Sequence, residues 1–171
     1  GAALSYAIDH GQHVSSLIVG HGPGAPGPFK LARMINMLAG SRFMRTATAM
    51  LGAGPLLATT AKLGAIRHRS NATQVDDYKR AYSGRAFEVI HWFEDLRSNG
   101  AALAARLSEI TIPTLVFWGD LDVMFDITNA ELLNEALPNS KIHVLPEAGH
   151  LSWSDQPELF GSMIIDWVHG R

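Results

Sequence analysis

The chain has 171 residues, 47% of them hydrophobic and 18% charged, with 14 basic and 16 acidic side chains and no cysteine. That length suits one domain with a real core, and a net charge of -2 creates no field that would gather nucleic acid or anionic lipid. Disulfides, thiolate nucleophiles and cysteine-bound metals are excluded, and no apolar run approaches the roughly 20 residues that cross a bilayer.

The amino end lacks the basic region of a signal peptide. It opens directly into Gly1-Ala2-Ala3-Leu4-Ser5-Tyr6-Ala7-Ile8, whose apolar spacing predicts a helix over 2–9, as if within a larger structure. Gly11 is expected in the left-handed position that closes this helix. Val14–Val19 is a short apolar run rich in β-branched residues and predicts a buried strand. Gly20-His21-Gly22-Pro23-Gly24-Ala25-Pro26-Gly27-Pro28 then excludes helix and central strand. Its glycines resemble a phosphate cradle, but the prolines remove backbone donors and no acidic ribose-binding partner follows. His21 on this loop is a weak candidate for lining a pocket.

From Phe29 to about Leu107 the composition turns to Ala, Leu and Met at helical spacing. Helices are expected at 29–39, 41–52, 55–65, 74–82, 84–97 and 100–107, an all-helical block between strands. Within it His91 and Trp92 are weak candidates to touch substrate. Met34, Met37, Met44 and Met50 read first as gap-fillers of a small core. Asn71-Ala72-Thr73 matches a glycosylation acceptor by chance.

Thr114-Leu115-Val116-Phe117-Trp118 is the clearest strand, ending at Gly119-Asp120-Leu121-Asp122. A helix over about 127–137, a strand over 141–145, a Pro/Gly-punctuated turn carrying His150 and a helix over 157–168 follow. Pro157 sits at a helix start, where its missing N–H costs nothing. Strand, helix, strand, helix with short links implies an α/β fold with a parallel sheet. Chemistry in such sheets collects beyond the carboxyl ends of strands, where both Asp120/Asp122 and His150 fall. A neutral imidazole is a good general base near pH 7, and a carboxylate on its other nitrogen fixes the tautomer. Trp153, close by, either lines the pocket or packs under the last helix. Asp120 is expected to act as a local capping acceptor.

Pro113–Asp122 resembles the seventh strand and acid turn of the α/β-hydrolases, with a Gly-(Asp/Glu)-x-Asp pattern. Ala148-Gly149-His150, followed by Gln156-Pro157-Glu158, is similar to that family's histidine turn and last helix. The resemblance implies that Asp122 orients His150, and that His150 is the general base. Residues 1–27 and 108–171 would be the carboxyl-terminal portion of the core, and 28–107 a helical cap. The family's nucleophile would lie just before Gly1. Ser5 and Ser16 fall in helix and strand, not on a strained turn, so neither suits the part.

The resemblance thus implies a hydrolase of ester-like bonds, with this chain supplying acid, base and cap and inactive by itself. Its partners would be a small apolar or aromatic ester-like substrate and an amino-terminal half of the same fold, carried on another chain or segment. No cofactor, metal, nucleic acid or membrane is expected, and the cytoplasm is the expected compartment. The alternative is a non-catalytic fragment or a small-molecule-binding module on the same fold.

Overall fold

A computed structural model describes residues 1–22, 64–67, 71–85 and 99–170, together with the single positions 46, 88 and 91. The helix expected at 29–39 and most of those expected at 41–52, 55–65 and 84–97 lie outside the described residues, as do Met34, Met37, Met44 and Met50.

The chain opens with helix α1 (Ala2–His10) and enters strand β1 (Leu17–Gly20) through a 3-10 turn at Gly11–His13. Gly11 does not take the left-handed position. Its φ of -53° and ψ of -30° begin that turn, which closes with Val14 N–H donating to the Gly11 carbonyl at 3.0 Å. The strand therefore starts three residues later than the β-branched run suggests, because its first residues leave the turn instead of joining the sheet.

Helix α2 (Ala72–Ala81) is started by a capping box. The Asn71 side chain accepts from Gln74 N–H and the Gln74 side chain accepts from Asn71 N–H, both at 2.9 Å, satisfying two amides that the first helical turn leaves open. Residues 99–105 are helical, and a 3-10 turn at Leu107–Glu109 leads to strand β2 (Thr114–Gly119), buried at every position. Helix α3 (Thr128–Ala136), strand β3 (Ser140–Leu145), the one-turn helix α4 (Ser152–Asp155) and helix α5 (Pro157–His169) complete the order. Pro157 occupies the start of α5, as its sequence position predicts.

The three strands form a parallel sheet in the order β1-β2-β3. Apart from Thr114 the central strand is apolar, as a sheet covered on both faces requires. On one face Leu17, Val116 and Trp118 pack with Leu4 and Ala7 of α1 and with Ala130 and Leu133 of α3. On the other, Leu115, Phe117 and Leu145 pack with Met163 of α5, flanked by Phe160, Ile164 and Trp167. The result is helix, sheet and helix in three layers.

Register positions the site. Gly20 pairs with Phe117, and Gly119 with Leu145, so the strands reach the same end of the sheet together. His21, Asp122 and His150 lie one, three and five residues beyond those ends. Among the described residues, β1 pairs only with β2.

Candidate functional site

Two turns leave the carboxyl ends of β2 and β3 and are laced to each other. Leu121 N–H donates to the Ala148 carbonyl at 3.0 Å, and Ala148 N–H donates to Asp120 Oδ1 at 3.2 Å. Asp120 thus accepts across 28 residues and ties one turn to the next, where a local capping bond was expected. Gly119 allows the approach, since a Cβ there would stand 2.3 Å from the Ala148 carbonyl oxygen and 2.4 Å from that of Gly149.

Asp122 is 4% exposed. Its Oδ1 accepts backbone N–H groups from Met124 at 2.8 Å and Phe125 at 3.1 Å, which fixes the carboxylate plane. Its Oδ2 faces His150 Nδ1 at 3.0 Å and His21 Nδ1 at 2.8 Å. A carboxylate can only accept, so both rings carry their proton on Nδ1, and Nε2 is left as the basic nitrogen of His150. Burial pushes the Asp122 carboxyl upward, but the hydrogen bonds from His150 and His21, with the charge of His150 and the Phe125 amide, outweigh it and hold the group far below the usual carboxylate range.

His21 is 6% exposed and its φ of 49° is left-handed. That conformation costs a non-glycine residue on the order of 1 kcal/mol, here offset by the contacts of its side chain. Its ring lies against Phe117 and Trp118, with centroids at 5.4 and 5.1 Å. His21 Nε2 is 2.8 Å from Ser152 Oγ. Burial lowers the His21 pKa, against the opposing pull of the Asp122 hydrogen bond and charge. The neutral ring then donates through Nδ1 to Asp122 and accepts the Ser152 hydroxyl proton at Nε2. Ser152, His21 and Asp122 form a Ser-His-acid chain, but Ser152 is 0% exposed, so no substrate reaches it.

His150 is half-buried and stacks on Phe125, with centroids 5.5 Å apart. Trp153 is half-exposed; its ring lies 6.2 Å from His21 and 6.4 Å from Phe160 of α5, so it both borders the site and packs on the last helix. His91 is exposed and helical, and Trp92 lies outside the described residues. Sequence reasoning missed two features: that His21 shares the acid with His150, and that Ser152 anchors His21. The one local signal for His21 was its place just beyond the carboxyl end of a predicted strand, where sites in parallel sheets collect.

His21, Asp122 and His150 each offer one ligand atom, all within 4.8 Å of one another. Such a set is of the kind that binds divalent transition metals, but a cation there would have to replace both Nδ1 protons on Oδ2. With the protons in place, the arrangement holds one imidazole in a fixed tautomer, able to take a proton at Nε2 and to be stabilised as imidazolium by the buried carboxylate.

No described helix is long and apolar enough to cross a membrane. The chain is 28% identical over 67 residues to a monoacylglycerol lipase of Mus musculus, a match covering 39% of this chain and 20% of the lipase. It is 33% identical over 64 residues to a 2-hydroxy-6-oxononadienedioate/2-hydroxy-6-oxononatrienedioate hydrolase of Cupriavidus pinatubonensis, covering 37% of this chain and 22% of that protein. The matched stretch thus spans a quarter or less of these relatives. An esterase from Exiguobacterium antarcticum shares the fold with a TM-score of 0.78 and 21% identity, over 98% of this chain and 62% of the esterase. A model of the alpha/beta hydrolase fold matches residues 2–157. With its parallel sheet and its acid and histidine turns side by side, the chain belongs to the α/β-hydrolase fold family.

Proposed function

We propose that the protein hydrolyses ester-like bonds, with His150 as general base and Asp122 as the acid that orients it. The observation that carries this reading is the contact of His150 Nδ1 with Asp122 Oδ2 at 3.0 Å, made by a buried carboxylate whose other oxygen is held by two backbone amides. With Nδ1 engaged by the acid, Nε2 is the ring nitrogen left to take a proton from a nucleophile. The nucleophile is contributed by a segment outside these 171 residues, on a strand that pairs with the edge of β1 that has no strand partner among the described residues. His150 takes its proton as it attacks the carbonyl carbon, returns that proton to the leaving group, and then activates the water that cleaves the covalent intermediate. Residues 28–107 are read as a cap from their sequence, and their Ala, Leu and Met content suits an apolar or aromatic substrate. The names of the lipase, esterase and hydrolase relatives support a hydrolytic reaction.

The test is turnover of a chromogenic short-chain ester by the 171-residue chain alone, by the chain with the nucleophile-bearing half, and by that combination carrying His150→Ala. The second alone is expected to turn over. Turnover by the isolated chain, or turnover that survives the substitution, would overturn the reading.

A further inference from the structure

Asp155 has no part in the chemistry of the acid and the histidine, yet it is 1% exposed and its carboxylate is met by backbone donors from the nearby histidine turn and from a segment nearly 90 residues away. Ile66 N–H reaches both oxygens at 2.9 Å. Arg67 N–H donates to Oδ1 at 2.7 Å, and Gly149 N–H to Oδ2 at 2.8 Å. A buried carboxylate is costly unless such donors meet it, so these bonds hold the three amides in place as firmly as they hold the acid.

Gly149 immediately precedes His150. On the other side of the histidine, Leu151 N–H donates to the Gly64 carbonyl at 2.8 Å. The amides flanking His150 are therefore both tied to residues 64–67, one through Asp155 and one directly. Arg67 also pairs with Glu147, although both side chains are largely exposed and contribute little. The two segments touch at van der Waals limits: a Cβ on Gly149 would lie 2.5 Å from the Gly64 carbonyl oxygen, and one on Gly64 would lie 3.1 Å from Leu151 Cγ.

We propose that Asp155 is a positioning residue, which seats the histidine turn against residues 64–67 so that the placement of His150 over Asp122 depends on the docking of the segment read as the cap. The carboxylate is suited to this because it has acceptor capacity for all three amides at once. An asparagine would turn an NH2 group toward N–H donors and lose part of the set. The cap segment thereby becomes part of the support of the base. The kinetic consequence rests on the assignment of His150 as base; the structural one does not.

The experiment uses the full-length protein as wild type, Asp155→Asn and Gly64→Ala, the last a milder change whose Cβ would stand 3.1 Å from Leu151 Cγ and crowd the contact between the two segments. Hydrogen exchange is read for peptides covering 64–67 and 148–151, together with the downfield Nδ1 proton resonance of His150 and the kcat and KM for a short-chain ester. Exchange is expected to rise in both peptides together in both variants. The His150 resonance is expected to broaden or vanish, and kcat to fall about 10- to 100-fold, the scale of a small misplacement of a catalytic group, with KM little changed. A variant that only loosened the fold would lower the melting temperature and leave the resonance of the folded molecules in place. Exchange confined to one peptide, or an unchanged His150 resonance in both variants, would overturn the proposal. If His150→Ala retains turnover while the coupled exchange and the resonance respond as expected, the base assignment fails and the tether stands.

Discussion

Asp122 divides its oxygens between two kinds of donor: backbone amides on Oδ1 and two imidazoles on Oδ2. Asp122→Asn keeps the shape but can present an NH2 group to the rings, so kcat of the full-length protein should drop on the order of 10³- to 10⁴-fold while substrate still binds; steady-state kinetics check this. Asp122→Ala leaves the same donors without an acceptor and should cost about 3–5 kcal/mol of stability, read by urea unfolding. The two shifted groups also predict a pH dependence. The His21 pKa is lowered in the fold, so the unfolded chain takes up a proton first as pH falls. The stability His21 contributes is complete above about pH 6.5, the ordinary histidine value, and is lost as pH drops below it. The Asp122 pKa is lowered too, so its contribution is present above about pH 4 and is lost only at lower pH. Urea midpoints are expected to fall between pH 7 and 5, and His21→Phe, which keeps a ring against Phe117 and Trp118, should flatten that part of the slope. A midpoint with the same pH slope in His21→Phe would place the titration elsewhere.

At the level of elements, the site depends on how closely two turns approach. Gly119→Ala sets a Cβ against the carbonyl oxygens of Ala148 and Gly149, both backbone atoms that cannot rotate away. It should destabilise by about 1–3 kcal/mol or more, seen in the urea midpoint, and should lower kcat beyond what the lost folded fraction explains. β2 and its acid turn were legible in the sequence because a wholly apolar run followed by Gly-Asp-Leu-Asp is a local pattern. His150 was legible for the same reason, and its partnership with Asp122 followed from strand order. His21 was harder to read: its acid is 101 residues away and its anchor Ser152 131 residues away, and nothing in a Gly/Pro-rich loop specifies such partners. The Asp155 bonds to Ile66 and Arg67, across 89 and 88 residues, were hidden likewise, since an Asp before Gln156-Pro157 reads locally as a helix-end residue. The late start of β1 escaped because β-branched residues favour extended backbone whether or not a neighbouring strand is there to pair with them.

For the molecule as a whole, one edge of the sheet decides the behaviour. Among the described residues β1 has a partner on one side only, and an unpaired edge invites association with other strands. The 171-residue chain by itself is expected to self-associate in light scattering, and addition of the nucleophile-bearing half to suppress this; a stable monomer would contradict the proposed pairing at that edge. The central claim is that Asp122 acts through His150 and the two work as one unit. Its most direct test is kcat of the full-length protein with Asp122→Asn, with His150→Ala and with both. Groups that act as a unit give losses that do not multiply, so the double variant should be no slower than His150→Ala alone. Losses that multiply, or a single substitution that leaves turnover intact, would contradict the account.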